Sequence, residues 1–252
     1  MHRRWYLTAA TWLSARRARA VLADSHATKD DIVELLGISP ERLHVVYPGT
    51  EATFHPRPRD AVQEFRGKQR LDQPFVLFVG TLEPRKNVDI LVRAFDRVAQ
   101  GGFGGDLVLA GGSGWATGPI DAALAESPVC SRIHRVGYVK QEDLPYWYCA
   151  ADLVVYPSSY EGFGIPVLEA MASGTPVITS NRSSLPEVAG DAALTVDPCD
   201  VQQLAAAMTA ILASPERRTQ MSERGLVQAR KFDWTVAAEQ CLSLYRRALN
   251  PS

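Results

Sequence analysis

Two carboxylates and two cations carry the chemistry available to this sequence. Glu161 and Glu169 enclose a glycine-rich turn and a helix start, Gly162-Phe163-Gly164-Ile165-Pro166-Val167-Leu168. An ionised carboxylate only accepts hydrogen bonds. A loop Glu161 therefore suits sugar hydroxyls and would repel a phosphate placed directly beside it. Glu169, about a turn into the following helix, can reach past phosphates to another hydroxyl pair such as a ribose diol. Gly162 and Gly164 let backbone N–H groups approach a ligand closely, and the helix start favours an anion. The plain alternative is a helix-capping Glu161 and a solvated Glu169. Farther up the chain, Arg85 and Lys86 stand just before another helix start, in Gly80-Thr81-Leu82-Glu83-Pro84-Arg85-Lys86-Asn87. Fixed cations beside helix N–H groups make a diphosphate site; the plain alternative is a solvated pair.

The elements that must position these residues follow from the hydrophobic pattern. Leu153–Tyr156 reads as a buried parallel strand and Val167–Ala172 as the helix after the turn, ending near Gly174. Phe75–Val79 is the strand before the Arg85-Lys86 loop, and Asn87 is expected to cap the next helix through Leu91, Phe95 and Val98. Further strands are expected at Leu107–Ala110, Ile133–Val136, Val177–Thr179 and Ala193–Val196, with helices between them and a helical tail to Leu249. This alternation predicts an α/β fold, a doubly wound parallel sheet of Rossmann-like type. Ligands of such sheets bind outside the carboxyl ends of the strands, where Glu161, Arg85 and Lys86 all fall. Gly137-Tyr138-Val139 lies at another strand end; a buried aromatic at a sheet edge is the equal alternative for Tyr138. Gly111-Gly112-Ser113-Gly114 either lines the cleft or is a plain turn. Near the start, Leu22 and its neighbours form a short strand, Thr28 is expected to cap a helix ending at Gly37, and Leu43–Tyr47 is a strand. The Pro-rich His55-Pro56-Arg57-Pro58 reads as a linker.

Composition narrows the class. The chain has 252 residues, 46% hydrophobic and 22% charged, with a formal net charge of −1. That suits a soluble globular protein and argues against a nucleic-acid-binding one, which is usually basic. Cys130, Cys149, Cys199 and Cys241 are scattered, without zinc-ligand spacing, and read as buried free thiols in a reducing compartment. No apolar run has the length of a membrane span. The basic, partly apolar start reads as a packed amphipathic helix, with peripheral membrane contact as the other reading.

The stretch Glu161-Gly-Phe-Gly-Ile-Pro-Val-Leu-Glu169, continued through Ala170-Met171-Ala172-Ser173-Gly174-Thr175-Pro176-Val177 to Leu185-Pro186-Glu187, resembles the Glu-x7-Glu motif of the retaining GT-B glycosyltransferases of family 4. The resemblance implies that Glu161 contacts a donor sugar, that Glu169 holds the nucleotide ribose, and that backbone around Gly162, Phe163, Gly164 and Ile165 faces sugar and phosphate. It implies that Lys86 binds the diphosphate. Many members carry an arginine where this chain has Thr81, so Arg85 is expected to supply that charge. Backbone at Tyr138 and Val139 would meet the nucleobase. The implied reaction moves a sugar, with GDP-mannose as first guess, from a nucleoside diphosphate to a glycan or lipid-linked acceptor, without a metal or other cofactor, in the cytoplasm or at the inner face of the membrane. The implied organisation is a remnant of the amino-terminal domain (1–47), a hinge and linker (48–73), the nucleotide-sugar-binding domain (74–231) and a final helix crossing back (232–252). Most of the acceptor domain would then lie elsewhere, in cis or in trans. The alternative is a non-catalytic nucleotide-sugar-binding subunit completed by a partner chain.

Overall fold

The computed structural model describes residues 2–249, with side chains from Thr8 onward. The described chain divides into two compact units, one formed by its two ends and one spanning Thr50–Lys231. Residues 1–7 of the start read above as an amphipathic helix lie outside the described side chains.

The first unit begins with α1 (His2–Arg17), β1 (Val21–Ala23), α2 (His26–Leu36) and β2 (Leu43–Val45). The two strands pair in parallel, over a small core of Ala15, Ile38 and Leu43 with Val21, Ile32, Val33 and Leu36 against it. Ser25, not Thr28, is the N-cap of α2: its hydroxyl accepts from the Thr28 N–H at 3.0 Å. Gly37 closes the helix at φ 63°, as expected of a left-handed C-cap.

The second unit begins inside the expected linker. There, Arg59–Gln69 forms α3. Its Phe65 stacks on Tyr146 and meets Trp147 edge-on at 5.3 Å. That aromatic burial makes the segment part of the domain. The unit continues through β3 (Phe75–Val79), α4 (Val88–Gln100), β4 (Asp106–Ala110), α5 (Gly118–Glu126), β5 (Ile133–Gly137), α6 (Leu144–Ala150), β6 (Leu153–Tyr156), α7 (Ile165–Ala172), β7 (Val177–Ser180), α8 (Leu185–Ala189), β8 (Leu194–Val196), α9 (Val201–Leu212) and α10 (Pro215–Ala229). α11 (Trp234–Leu249) returns to the first unit. None of the four cysteines is fully buried, contrary to expectation: Cys149 and Cys241 are half-buried, while Cys130, at the start of a 3-10 turn, and Cys199, in a loop, are exposed because they lie outside the packed layers.

The six strands of the second unit are all parallel, in the order β5-β4-β3-β6-β7-β8. Phe75–Phe78, Leu107–Ala110 and Leu153–Tyr156 are buried along their lengths, as strands covered on both faces must be. From β3 the chain steps outward one way through β4 to β5, then returns to β6 and steps the other way. Right-handed crossovers put the connecting helices α4 and α5 on one face and α7 and α8 on the other, with α9 returning to pack beside α4. The reversal leaves a crevice between the carboxyl ends of β3 and β6.

Close backbone approach holds the loops on the β3 side of this crevice. Gly80 N–H donates to the Ala110 carbonyl (2.8 Å) and Gly111 N–H to the Gly137 carbonyl (2.7 Å), while Leu82 N–H reaches the Gly112 carbonyl (2.9 Å). The glycine run 111–114 thus extends the sheet beyond its strands rather than forming a free turn. Gly111 has φ 153°, and a Cβ there would collide with the Gly80 carbonyl. Gly111→Ala is expected to destabilise the protein by about 3 kcal/mol through backbone strain and overpacking. Gly112→Ala, where a Cβ meets nothing within 4 Å, is expected to stay within about 0.5 kcal/mol of wild type. Urea unfolding of the two variants checks both.

Candidate nucleotide-sugar site

The crevice brings together residues that are 75 apart in sequence. Lys86 Nζ donates to Glu161 Oε1 and to the Tyr156 hydroxyl. Tyr156 itself lies 2.9 Å from Glu161 Oε1, and Arg85 Nη1 reaches the same oxygen at 2.8 Å. Arg85 Nε also pairs with Glu83 at 2.6 Å. Neither plain alternative survives for Lys86 and Glu161. The Lys86 side chain is 7% exposed and that of Glu161 11%. Glu161 is no helix cap: Gly164 occupies that position of α7. Arg85, with 42% of its side chain exposed, is the solvent-facing member of the group.

The local structure explains why the group forms. Pro84–Lys86 is one 3-10 turn and Asn87 follows in left-handed geometry at φ 51°, a conformation asparagine tolerates. Asn87 is the N-cap residue of α4, as expected above, but its side chain makes no capping bond. Its amide crosses the crevice instead, donating to the Pro157 carbonyl (2.9 Å) and Ser159 hydroxyl (2.6 Å). In return the Arg85 carbonyl accepts from Ser159 N–H at 2.8 Å and from the buried Ser158 hydroxyl at 3.1 Å. From the other side, Ser183 and Ser184 donate to the Glu161 carbonyl at 2.6 and 2.8 Å. Gly164 sits at φ 118°, where a Cβ would lie 2.7 Å from Leu185 Cδ2. That glycine seats the turn on α8.

Glu169 lies one helix turn and more beyond, on the buried face of α7 at 8% exposure. The Tyr148 hydroxyl donates to its Oε2 at 2.9 Å. It too is far from solvated. Of the remaining expected residues, Phe163 is buried, Gly162, Ile165 and Val139 are half-buried, and Thr81 is exposed. Tyr138 is 80% exposed, which rules out the buried-aromatic alternative: β5 is the outermost strand and ends at Gly137 with φ 73°. Sequence reasoning missed Tyr156, Tyr148 and the Ser183-Ser184 pair. Both tyrosines look like ordinary core aromatics in the pattern, and only their hydroxyl partners distinguish them.

The two carboxylates are driven in opposite directions. Burial raises the Glu161 pKa, but hydrogen bonds from Arg85 and Lys86 outweigh it and hold the group below the usual value. Burial lowers the Lys86 pKa, and its bond to Glu161 opposes without cancelling this. For Glu169, burial dominates and raises the pKa to about 7; Tyr148 lowers it and Glu51 adds to the rise.

The chain belongs to the family of glycosyl transferases group 1, whose family model matches residues 61–227. Residues 1–54 match the model of Glycosyltransferase Family 4. The chain is 36% identical over 231 residues to the O-antigen chain mannosyltransferase B of Escherichia coli, covering 91% of this chain and 61% of that protein. It is 32% identical over 254 residues to an MMP alpha-(1->4)-mannosyltransferase of Mycolicibacterium hassiacum, covering 98% and 59%. Sucrose-phosphate synthase from Thermosynechococcus elongatus superposes with a TM-score of 0.84 at 29% identity, over 96% of this chain and 61% of that one. The chain thus spans about three fifths of the length of the relatives it matches. The likeness identifies the Rossmann-like α/β unit as that of GT-B glycosyltransferases.

The opposed shifts have opposed consequences for stability. The folded protein retains the Glu169 proton between pH 4.5 and about 7, where the unfolded chain has released it. Stability therefore falls as pH rises through that window. Glu169→Gln is expected to be more stable than wild type by about 3 kcal/mol at pH 8, the gap narrowing toward pH 5. Glu161 has the reverse sign: its contribution is present above pH 4.5 and lost as pH falls through its lower folded value. Glu161→Gln is therefore expected to destabilise at pH 8, where Lys86 loses its countercharge. Urea unfolding at the two pH values measures both.

Proposed function

We propose that this chain binds a nucleoside-diphosphate sugar in the β3–β6 crevice and takes part in transfer of that sugar, with retention of configuration, to a glycan or lipid-linked acceptor. The observation that carries the reading is the Glu161 carboxylate shared by Arg85 and Lys86 at the carboxyl ends of two strands. In such a transfer, negative charge develops on the departing diphosphate and positive charge on the anomeric carbon. Arg85 and Lys86 stabilise the first electrostatically. The Glu161 carboxylate orients the sugar and faces the second. The α7 amino terminus, with backbone from Gly162 to Ile165, receives the phosphates. Glu169 accepts from the ribose diol, and backbone at Tyr138 and Val139 meets the base. The fixed cation pair supplies the charge that a metal ion would otherwise bring, so this reading needs no metal.

Mannose as the transferred sugar follows the mannosyltransferase names of two relatives, and GDP as its carrier follows only the resemblance stated under the sequence analysis. Acceptor residues would come from an amino-terminal domain in the same or a separate chain. A cytoplasmic setting, with peripheral contact at the inner face of the membrane, fits a lipid-linked acceptor. No helix among the described residues is long and apolar enough to cross a membrane.

Titration calorimetry with GDP, UDP and ADP, with and without a chelator, tests the donor half. Binding is expected to persist in chelator and to weaken roughly 10- to 100-fold in Lys86→Ala. Binding that vanishes with chelator, or that ignores Lys86, would refute it. A radiolabelled-donor assay tests transfer, and nucleotide binding without turnover would favour the alternative of a nucleotide-sugar-binding subunit.

A further inference from the structure

We infer that Tyr148 is a positioning residue for Glu169, holding its carboxylate in the orientation against which a ribose diol binds. This rests on the reading of Glu169 given under the proposed function. Tyr148 is fully buried on α6, and its hydroxyl donates to Glu169 Oε2 at 2.9 Å. The tyrosine is itself held at two further points. Phe54 meets its ring edge-on with centroids 5.9 Å apart, and its backbone carbonyl accepts from the Thr175 hydroxyl at 2.7 Å, at the far end of α7. Thr175 N–H in turn bonds the Ala170 carbonyl at 3.0 Å, next to Glu169. The phenol and the carboxylate are thus tied to one frame, and a carboxylate so held loses no rotamer freedom when a diol arrives.

The same bond also bears on the charge of Glu169, against the larger effect of burial. Burial, first, and the Glu169 charge, second, push the Tyr148 phenol well above its ordinary value, so it stays a donor at every working pH. On Glu169, burial raises the pKa to about 7, the Tyr148 bond lowers it, and the Glu51 carboxylate on the segment before α3 raises it. The titratable groups that act on it thus come from α6 (Tyr148) and from the segment before α3 (Glu51). The ionised form is the acceptor of a diol. Falling pH therefore removes that acceptor, and removing the Tyr148 donor moves the loss to higher pH.

The test is calorimetric titration of GDP, UDP and ADP and their 2′-deoxy counterparts, from pH 6 to 9, on wild type, Tyr148→Phe and Glu169→Gln. The ratio of ribo to deoxy affinity cancels the ionisation of the phosphates. In wild type this ratio is expected to rise with pH, with a midpoint near that of Glu169. In Tyr148→Phe the midpoint moves up by about one pH unit; in Glu169→Gln the ratio is small and flat. A ratio unchanged by Glu169→Gln would overturn the ribose reading itself. A ratio that depends on Glu169, yet keeps its midpoint and size in Tyr148→Phe, would leave that reading intact and overturn the role of Tyr148. Should Tyr148→Phe fail to fold, 3-fluorotyrosine placed at position 148 keeps the ring and strengthens the donor. It is expected to move the midpoint to lower pH, and an unmoved midpoint counts against the inference.

Discussion

A buried ammonium group must have a countercharge, and that constraint organises the crevice of this protein. Lys86 is held inside the domain, where an unpaired charge is costly, and the Glu161 carboxylate answers it from the other loop. Because one oxygen of Glu161 also serves Arg85 and Tyr156, small displacements of either loop would disturb several bonds together. The hydrogen bonds of Asn87, Ser158 and Ser159 to the opposite loop prevent this. So do Ser183 and Ser184, which fix the Glu161 backbone from the next strand end. The close-packed glycines Gly80 and Gly111 hold the remaining side. Most of the polar groups around the crevice therefore act to keep two charged loops in register.

Glu161 and Glu169 show how one short stretch makes two different carboxylates. Both are buried, and burial alone would favour the protonated form of each. Glu161 has two cations within reach and stays ionised. Glu169 has a phenol as its donor, and a second carboxylate, Glu51, acts on it unfavourably. A phenolic hydrogen bond stabilises the charge far less than two cations do, so Glu169 is poised near neutrality. Divergence of this kind between neighbouring acids is what functional sites require and what a stability-optimised core would avoid.

The first unit is built on a smaller scale. A two-stranded sheet and a short apolar core leave Trp12, Leu13 and Leu22 substantially exposed, and on α11 Trp234, Leu242 and Tyr245 as well. Its helix ends are satisfied by charged side chains reaching back: Arg42 donates to the Ala15 and Arg16 carbonyls at 3.0 and 3.1 Å, at the end of α1. Arg19 donates to the Ala248 carbonyl, near the end of α11. Arginines at these positions also oppose the negative ends of the helix dipoles.

Much of this was legible in the residues alone. The strands Phe75–Val79 and Leu153–Tyr156, with the helix after each, follow from apolar runs that parallel buried strands require, and the two loops carrying Arg85, Lys86 and Glu161 follow from where those runs stop. Sequence also determined that Gly37 would end a helix, since only a left-handed cap suits that position. It could not show that Arg59–Gln69 is a helix of the domain, because Phe65 finds Trp147 only after α6 is in place. Nor could it assign the Asn87 side chain: local spacing placed the residue at the N-cap, but its amide partner lies 70 residues away. The roles of Tyr156 and Tyr148 were decided by tertiary structure alone. A strand or helix pattern records that an aromatic ring is buried, but the partner of its hydroxyl depends on which other element the fold brings alongside. For the same reason the protonation of Glu169 was invisible in sequence: it is set by the depth of burial and by Tyr148 and Glu51, which reach it only through the packing of α6 and α7.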